Sequence, residues 1–95
     1  TGKAVMKAKN VPNVLAVMAT AGLYDDSGKW LYLTGLPAKS GVGGGIIAVS
    51  PGRFGIAVIS PPLDKAGNSV KAQKAIAAIS NALGGNPYAP VPVAK

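Results

Sequence analysis

Apolar residues in this chain fall into short runs separated by glycine and proline. Val11, Val14, Leu15 and Met18 recur at helical spacing, which predicts a short helix with one apolar face. Asn10 stands where a capping side chain belongs, Pro12 suits only a first turn, and Gly22 fits the position just past the end. Asp25-Asp26-Ser27-Gly28 is a turn signal. Residues 29–34 (Lys-Trp-Leu-Tyr-Leu-Thr) have the aromatic content of a strand, and the glycine-rich stretch 35–45 reads as a loop. Residues 46–50 and 54–60 are two further apolar runs. Between them, Ser50-Pro51-Gly52-Arg53 places Pro and Gly at the centre of a type II turn, so the two runs form an antiparallel hairpin. Pro61-Pro62 ends the second run, because proline cannot donate to the ladder. Asn68 or Ser69 caps a second helix, with Ala72, Ile76, Ile79 and Leu83 on one face and Gly84 past its end. The lysines at 3, 7 and 9 mark a solvated lead-in. Residues 86–95, with Pro87, Pro90 and Pro92, read as a Pro-rich extended tail.

These elements predict an α+β fold: a three-stranded antiparallel sheet flanked by helices, formed by residues 1–85, with the tail outside it. The runs Ile46-Ile47-Ala48-Val49 and Ile56-Ala57-Val58-Ile59 are continuous, not alternating, which predicts burial on both faces of the sheet. Two short helices cover one face. The other face calls for protein that this chain does not supply.

Composition narrows the chemistry. The 95 residues contain neither His nor Cys, so there is no thiolate nucleophile, no Cys/His metal site and no Ser-His-Asp triad. The only acids are Asp25, Asp26 and Asp64, a poor basis for a carboxylate metal site. The uncharged stretch 14–23 is far shorter than the roughly 20 apolar residues of a membrane span. Thr1-Gly2-Lys3 does not open a secretory signal, and a cytoplasmic protein is expected. Thr1 as an N-terminal nucleophile is chemically conceivable, but a cut end is the simpler account. Ten basic residues against three acidic ones give a net charge of +7, which raises the question of nucleic acid. The lysines are scattered, however, and Trp30, Tyr32 and Phe54 lie in runs where core packing is the default. No nucleic-acid partner is expected.

The stretch Leu36-Pro37-Ala38-Lys39-Ser40-Gly41-Val42-Gly43-Gly44-Gly45 carries the strongest signal. Lys-Ser-Gly resembles the Lys-Thr-Gly element of serine β-lactamases and penicillin-binding proteins. There a lysine and a hydroxyl face the carboxylate of an acyl substrate, and a glycine lets that substrate approach the strand closely. The bare triplet is weak; its context is not. Met18-Ala19-Thr20-Ala21-Gly22-Leu23-Tyr24-Asp25 precedes it at a fixed distance. Ala48-Val49-Ser50-Pro51-Gly52, Ile56-Ala57-Val58, Ser60-Pro61 and Gly67-Asn68-Ser69 follow. Together these segments, from about Val5 to Leu83, resemble the C-terminal part of the serine-dependent glutaminases, β-lactamase-like enzymes that hydrolyse L-glutamine to L-glutamate and ammonia.

The resemblance implies a serine β-lactamase/penicillin-binding-protein-like fold and L-glutamine as substrate, with no metal and no cofactor. It implies that Tyr24 lines the glutamine site and exchanges a proton there. It implies that the Val42 N–H contributes to an oxyanion hole, with Lys39, Ser40 and Gly41 in supporting substrate-binding roles. It also implies a homo-oligomer. The family's nucleophile lies in a Ser-x-x-Lys motif. Residues three after Ser27, Ser40, Ser50, Ser60, Ser69 and Ser80 are Trp30, Gly43, Arg53, Leu63, Ala72 and Leu83, so the motif is absent here. The chain alone is therefore expected to be inactive, with the N-terminal remainder of the same enzyme as its partner. Two features depart from the family pattern: Pro12 within a helix, and the Pro-rich tail after Gly85. A second reading is a freestanding basic, non-catalytic module that binds an acidic partner. The missing nucleophile favours it, and failure to fold alone would exclude it.

Overall fold

A computed structural model describes residues 2–89. A 3-10 turn over Ala8–Asn10 leads into helix α1 (Val11–Ala21), and a second over Tyr24–Asp26 leads into α2 (Ser27–Thr34). Three strands follow, β1 (Ala38–Ser40), β2 (Gly45–Ser50) and β3 (Phe54–Ile59), and then α3 (Val70–Leu83). The fold is α+β. Its one sheet is antiparallel in the order β1-β2-β3, a meander in which each strand pairs with the next.

The stretch 29–34 forms α2, not the first strand. Its strand character loses to tertiary anchoring, because a β propensity mainly measures fit to a half-buried sheet surface. Trp30 and Thr34 are four residues apart and both buried. The Trp30 indole N–H donates to the Leu36 carbonyl at 2.9 Å, and the Thr34 hydroxyl donates back to the Trp30 carbonyl at 2.8 Å. Gly35, at φ 68°, then ends the helix in the left-handed conformation that glycine adopts freely, with its N–H on the Leu31 carbonyl. The first strand instead lies inside the glycine-rich stretch, at Ala38–Ser40.

The β2–β3 hairpin forms where the sequence places it. The Arg53 N–H closes the turn on the Ser50 carbonyl at 2.9 Å, and Gly52 supplies φ 75°. Its faces alternate in this chain: one face is buried, and the face expected to call for further protein stands open. Ile46, Ala48 and Ser50 point into the core, whereas Ile47 and Ile59 are exposed, Ile59 by 80%. The inner face packs on α3, whose Ala72, Ile76 and Ser80 are buried at a strict four-residue spacing. Ile79 and Leu83, expected on that face, are about half exposed. Ser69 is the α3 cap, its hydroxyl accepting the Ala72 N–H at 3.1 Å, and Gly84 ends the helix at φ 65°. Arg53 reaches across from the hairpin and donates to the Gly84 and Leu83 carbonyls, where a cation complements the helix dipole. The core is Leu23, Trp30, Leu36, Ala38, Ile46, Ala48, Ala72 and Ile76.

Helix α1 packs on α2 and β1, yet none of its own residues is fully buried. Pro12 sits in its first turn, as tolerated, but Asn10 makes no side-chain cap. Gly22 ends the helix at φ −72°, so its left-handed freedom is not used. A Cβ there would lie 1.7 Å from the Ala38 carbonyl oxygen, and close approach is what requires glycine. Residues Asn86–Ala89 form a local turn, with the Tyr88 and Ala89 N–H groups on the Asn86 carboxamide and carbonyl, where an extended course was expected. Thr1 and the tail residues 90–95 lie outside the described residues. No helix among the described residues is long and apolar enough to cross a membrane.

Candidate functional site

The turn between α1 and α2 and the edge strand β1 meet at Gly22. The Gly22 carbonyl accepts the Ser40 N–H at 3.1 Å and the Ser40 hydroxyl at 3.4 Å. This places Tyr24, two residues on, beside Lys39, one residue back along the strand. The Lys39 ammonium stands 5.0 Å from the centroid of the Tyr24 ring, within cation–π range, and also donates to the Ser40 carbonyl at 2.6 Å. Strand alternation turns Lys39 outward and Ser40 inward. The Ser40 side chain is therefore buried on the Gly22 carbonyl rather than on the open rim.

Tyr24 is 54% exposed and adopts φ 51°, the one side-chain-bearing residue among those described with positive φ. Such a conformation costs about 1 kcal/mol or more and needs local support. Ser27 supplies part of it: its hydroxyl accepts the Leu23 N–H and donates to the Tyr24 carbonyl, both at 2.8 Å. Gly41 and Gly44 close the β1–β2 hairpin through Gly41 N–H to Gly45 O at 2.9 Å and Gly44 N–H to Gly41 O at 3.0 Å. Val42 lies at the hairpin tip and is 79% exposed. Among the described residues its N–H meets no protein acceptor. Tyr24, Lys39, Ser40, Gly41 and Val42 thus lie on one turn and one adjoining hairpin.

Beneath the turn is a polar cluster that sequence reasoning did not identify as part of a site. In the sequence Asn68 is a candidate helix cap and part of the Gly67-Asn68-Ser69 string, with no site role. Its side chain is 0% exposed and donates at 2.8 Å both to the Leu23 carbonyl and to Asp26 Oδ2. Asp64 accepts the Asn68 N–H at 3.0 Å, and its second carboxyl oxygen faces Gln73. The hydrogen bond between the two carboxyl groups raises Asp26 above the ordinary carboxyl value, with burial adding to the effect and the Asn68 donor opposing it. The same bond lowers Asp64 to about 2, helped by the Asn68 backbone N–H. The signs oppose. Asp64 stabilises the fold above its ordinary value, and that contribution is lost as pH falls toward about 2. Asp26 contributes at low pH and loses that contribution as pH rises through its raised value. Carboxyl-carbon NMR across acid pH should therefore show Asp64 titrating well before Asp26. In Asp64→Asn, Asp26 should return toward the ordinary range; an Asp26 that does not move would contradict the pairing.

A cleft of about 510 Å³ opens between α2 and α3 and includes Asp26, Lys29, Trp30, Asp64 and Lys74 in its walls. Among the described residues no group of three or more His, Cys, Asp or Glu comes together as a metal site.

Comparison with known proteins gives one consistent result. A family model described as Glutaminase matches residues 1–88. A glutaminase of Colwellia psychrerythraea is 65% identical over 86 residues, which are 90% of this chain and 28% of that protein. A solved probable glutaminase superposes with a TM-score of 0.85 at 57% identity, covering 88% of this chain and 27% of the other. A solved structure of Mglu in its glutamate form superposes with a TM-score of 0.83 at 38% identity, covering 96% of this chain and 21% of the other. The chain thus spans about a quarter of the length of the proteins it matches.

Proposed function

Because this chain belongs to the glutaminase family, we propose that it forms the C-terminal wall of a glutaminase active site, in a serine β-lactamase-like fold completed by an N-terminal remainder. The whole enzyme hydrolyses L-glutamine to L-glutamate and ammonia. The observation that carries this reading is the family match over residues 1–88, with both motif segments meeting at Gly22. The structure of Mglu in its glutamate form is consistent with a product of that chemistry binding within this fold.

The reaction is an acyl transfer. An upstream serine of the Ser-x-x-Lys motif attacks the side-chain amide carbon of glutamine. The carbonyl oxygen takes up negative charge, and the Val42 N–H donates to it. A donor of this kind is worth about 3 kcal/mol to the transition state. The C–N bond then breaks, ammonia leaves with the proton taken from the serine, and water hydrolyses the acyl-enzyme to glutamate. Tyr24 stands on the rim and passes protons between nucleophile and leaving group. Lys39 places positive charge over its ring. Gly41 leaves the strand edge bare for the substrate, since a Cβ there would meet nothing within 4 Å.

The test is a chimera in which this chain replaces the matching 86 residues of the Colwellia psychrerythraea glutaminase. Ammonia release from glutamine is expected within about tenfold of the parent, which is 1.4 kcal/mol of barrier. The chain alone is expected to release none. A folded chimera without glutaminase activity rejects the reading.

A further inference from the structure

We propose that Asn68 is a positioning residue: its buried carboxamide locks the Leu23–Asp26 turn and so determines where the Tyr24 phenol stands. The proposal rests on the glutaminase reading for its kinetic consequences and on the fold alone for its geometry.

The positive φ of Tyr24 is disfavoured for any residue with a side chain, so the turn keeps it only if its neighbours leave no alternative. Two side chains provide that constraint from opposite sides. Ser27 ties the Leu23 N–H and the Tyr24 carbonyl from within the turn. Asn68 comes from the β3–α3 connection, 45 residues away, and ties the Leu23 carbonyl and the Asp26 carboxyl. The residues before and after the Tyr24–Asp25 pair are thereby fixed to the core. Asn68 is itself held rigidly. Its N–H is on Asp64, its carbonyl accepts the Asp64 N–H at 2.7 Å, and the next residue caps α3. The identity of the side chain matters. Among uncharged side chains only an amide places two donors on one nitrogen, here one for a carbonyl and one for a carboxyl. A carboxylate would repel both, and an aliphatic side chain would leave both unpaired. The carboxamide oxygen meets no donor among the described residues, so what the site uses is the donor end.

The experiment uses the active chimera, with Asn68→Leu made alone and in a Tyr24→Phe background. Asn68→Leu keeps the side-chain size and removes both donors. It is expected to lower kcat about tenfold to a hundredfold, the scale of a reacting group displaced by about 1 Å, with KM changed less than about threefold. In the Tyr24→Phe background the same substitution is expected to lower kcat less than about twofold, because the group it positions is already gone. A merely structural residue would cause the same loss in both backgrounds, and that result overturns the proposal. The second readout needs no activity. In the ¹³C-tyrosine-labelled chimera, with the Tyr24 signals assigned by their loss in Tyr24→Phe, Asn68→Leu should move the Tyr24 Cα and Cβ shifts away from left-handed values. Unchanged shifts overturn the proposal. Should Asn68→Leu not fold, Ser27→Ala opens the same lock from the other side and is decided by the same two readouts. A folded parent chimera without activity rejects the glutaminase reading, and the tyrosine shifts then decide the role of Asn68 by themselves.

Discussion

Tyr24→Phe in the assembled enzyme is expected to lower kcat by about a hundredfold to ten-thousandfold, the range over which a positioned proton-transfer group contributes. The substitution isolates the hydroxyl. The ring stays, and with it the contact 5.0 Å below the Lys39 ammonium, which depends on the ring face and not on the phenol oxygen. Tyr24 is more than half exposed, so losing the hydroxyl strands no buried partner, and stability should change by less than about 0.5 kcal/mol. Steady-state kinetics with a thermal melt of the same sample separates the two effects. A folded variant with unchanged kcat would remove Tyr24 from the proton step and leave it a wall of the site.

Gly22→Ala should cause the largest loss of stability. The added methyl would lie 1.7 Å from the Ala38 carbonyl oxygen and 2.4 Å from that of Met18. Both obstacles are backbone, so no rotamer change can relieve them. Helix α1 and strand β1 must separate, and the Ser40 N–H to Gly22 carbonyl bond goes with them. A cost of about 3 kcal/mol or more is expected, at or beyond the upper end of ordinary overpacking. Gly28→Ala is the internal control. Gly28 lies in α2 and a Cβ there meets nothing within 4 Å, so alanine should stabilise by about 0.5–1 kcal/mol through helix propensity. Denaturant midpoints of the two variants in the chimera give the comparison. Equal midpoints would mean that the α1–β1 contact does not hold the site together.

The parts of the fold legible in the sequence are those written in local chemistry. The Ser50–Arg53 turn carries its own Pro-Gly signature, and α3 is bracketed by Ser69 and Gly84, so both lie where expected. Residues 29–34 read as a strand because Trp30 and Tyr32 raise strand propensity, while the bond that decides the matter, Trp30 to the Leu36 carbonyl, belongs to the folded state. Gly35 is the local signal for a helix end, and in sequence it is indistinguishable from the start of a glycine-rich loop. The continuous apolar runs of β2 and β3 leave apolar residues, Ile47 and Ile59, on the face that this chain does not cover.

The candidate site divides in the same way. Tyr24, Lys39 and Val42 are candidates through motif strings alone. That the Tyr24 turn stands beside Lys39 could not be read, since it depends on Gly22 abutting β1. Asn68 enters the sequence reading as an alternative cap and as part of the Gly67-Asn68-Ser69 string, not for its side-chain donors. No spacing rule connects it with Leu23, because the two are joined by a single long-range hydrogen bond.

The glycines of the β1–β2 hairpin also differ in what the fold demands of them. Gly44 is fixed by this fold, at φ 93° with the Pro61 backbone 2.8 Å from where a Cβ would sit. Gly41 and Gly43 are not: neither has a positive φ, and a Cβ on either meets open space. Evolutionary drift at those two positions would be neutral if folding of this segment were all that counted. Any selection that keeps them bare must therefore act through a body that comes close from outside the segment, whether substrate or the rest of the enzyme.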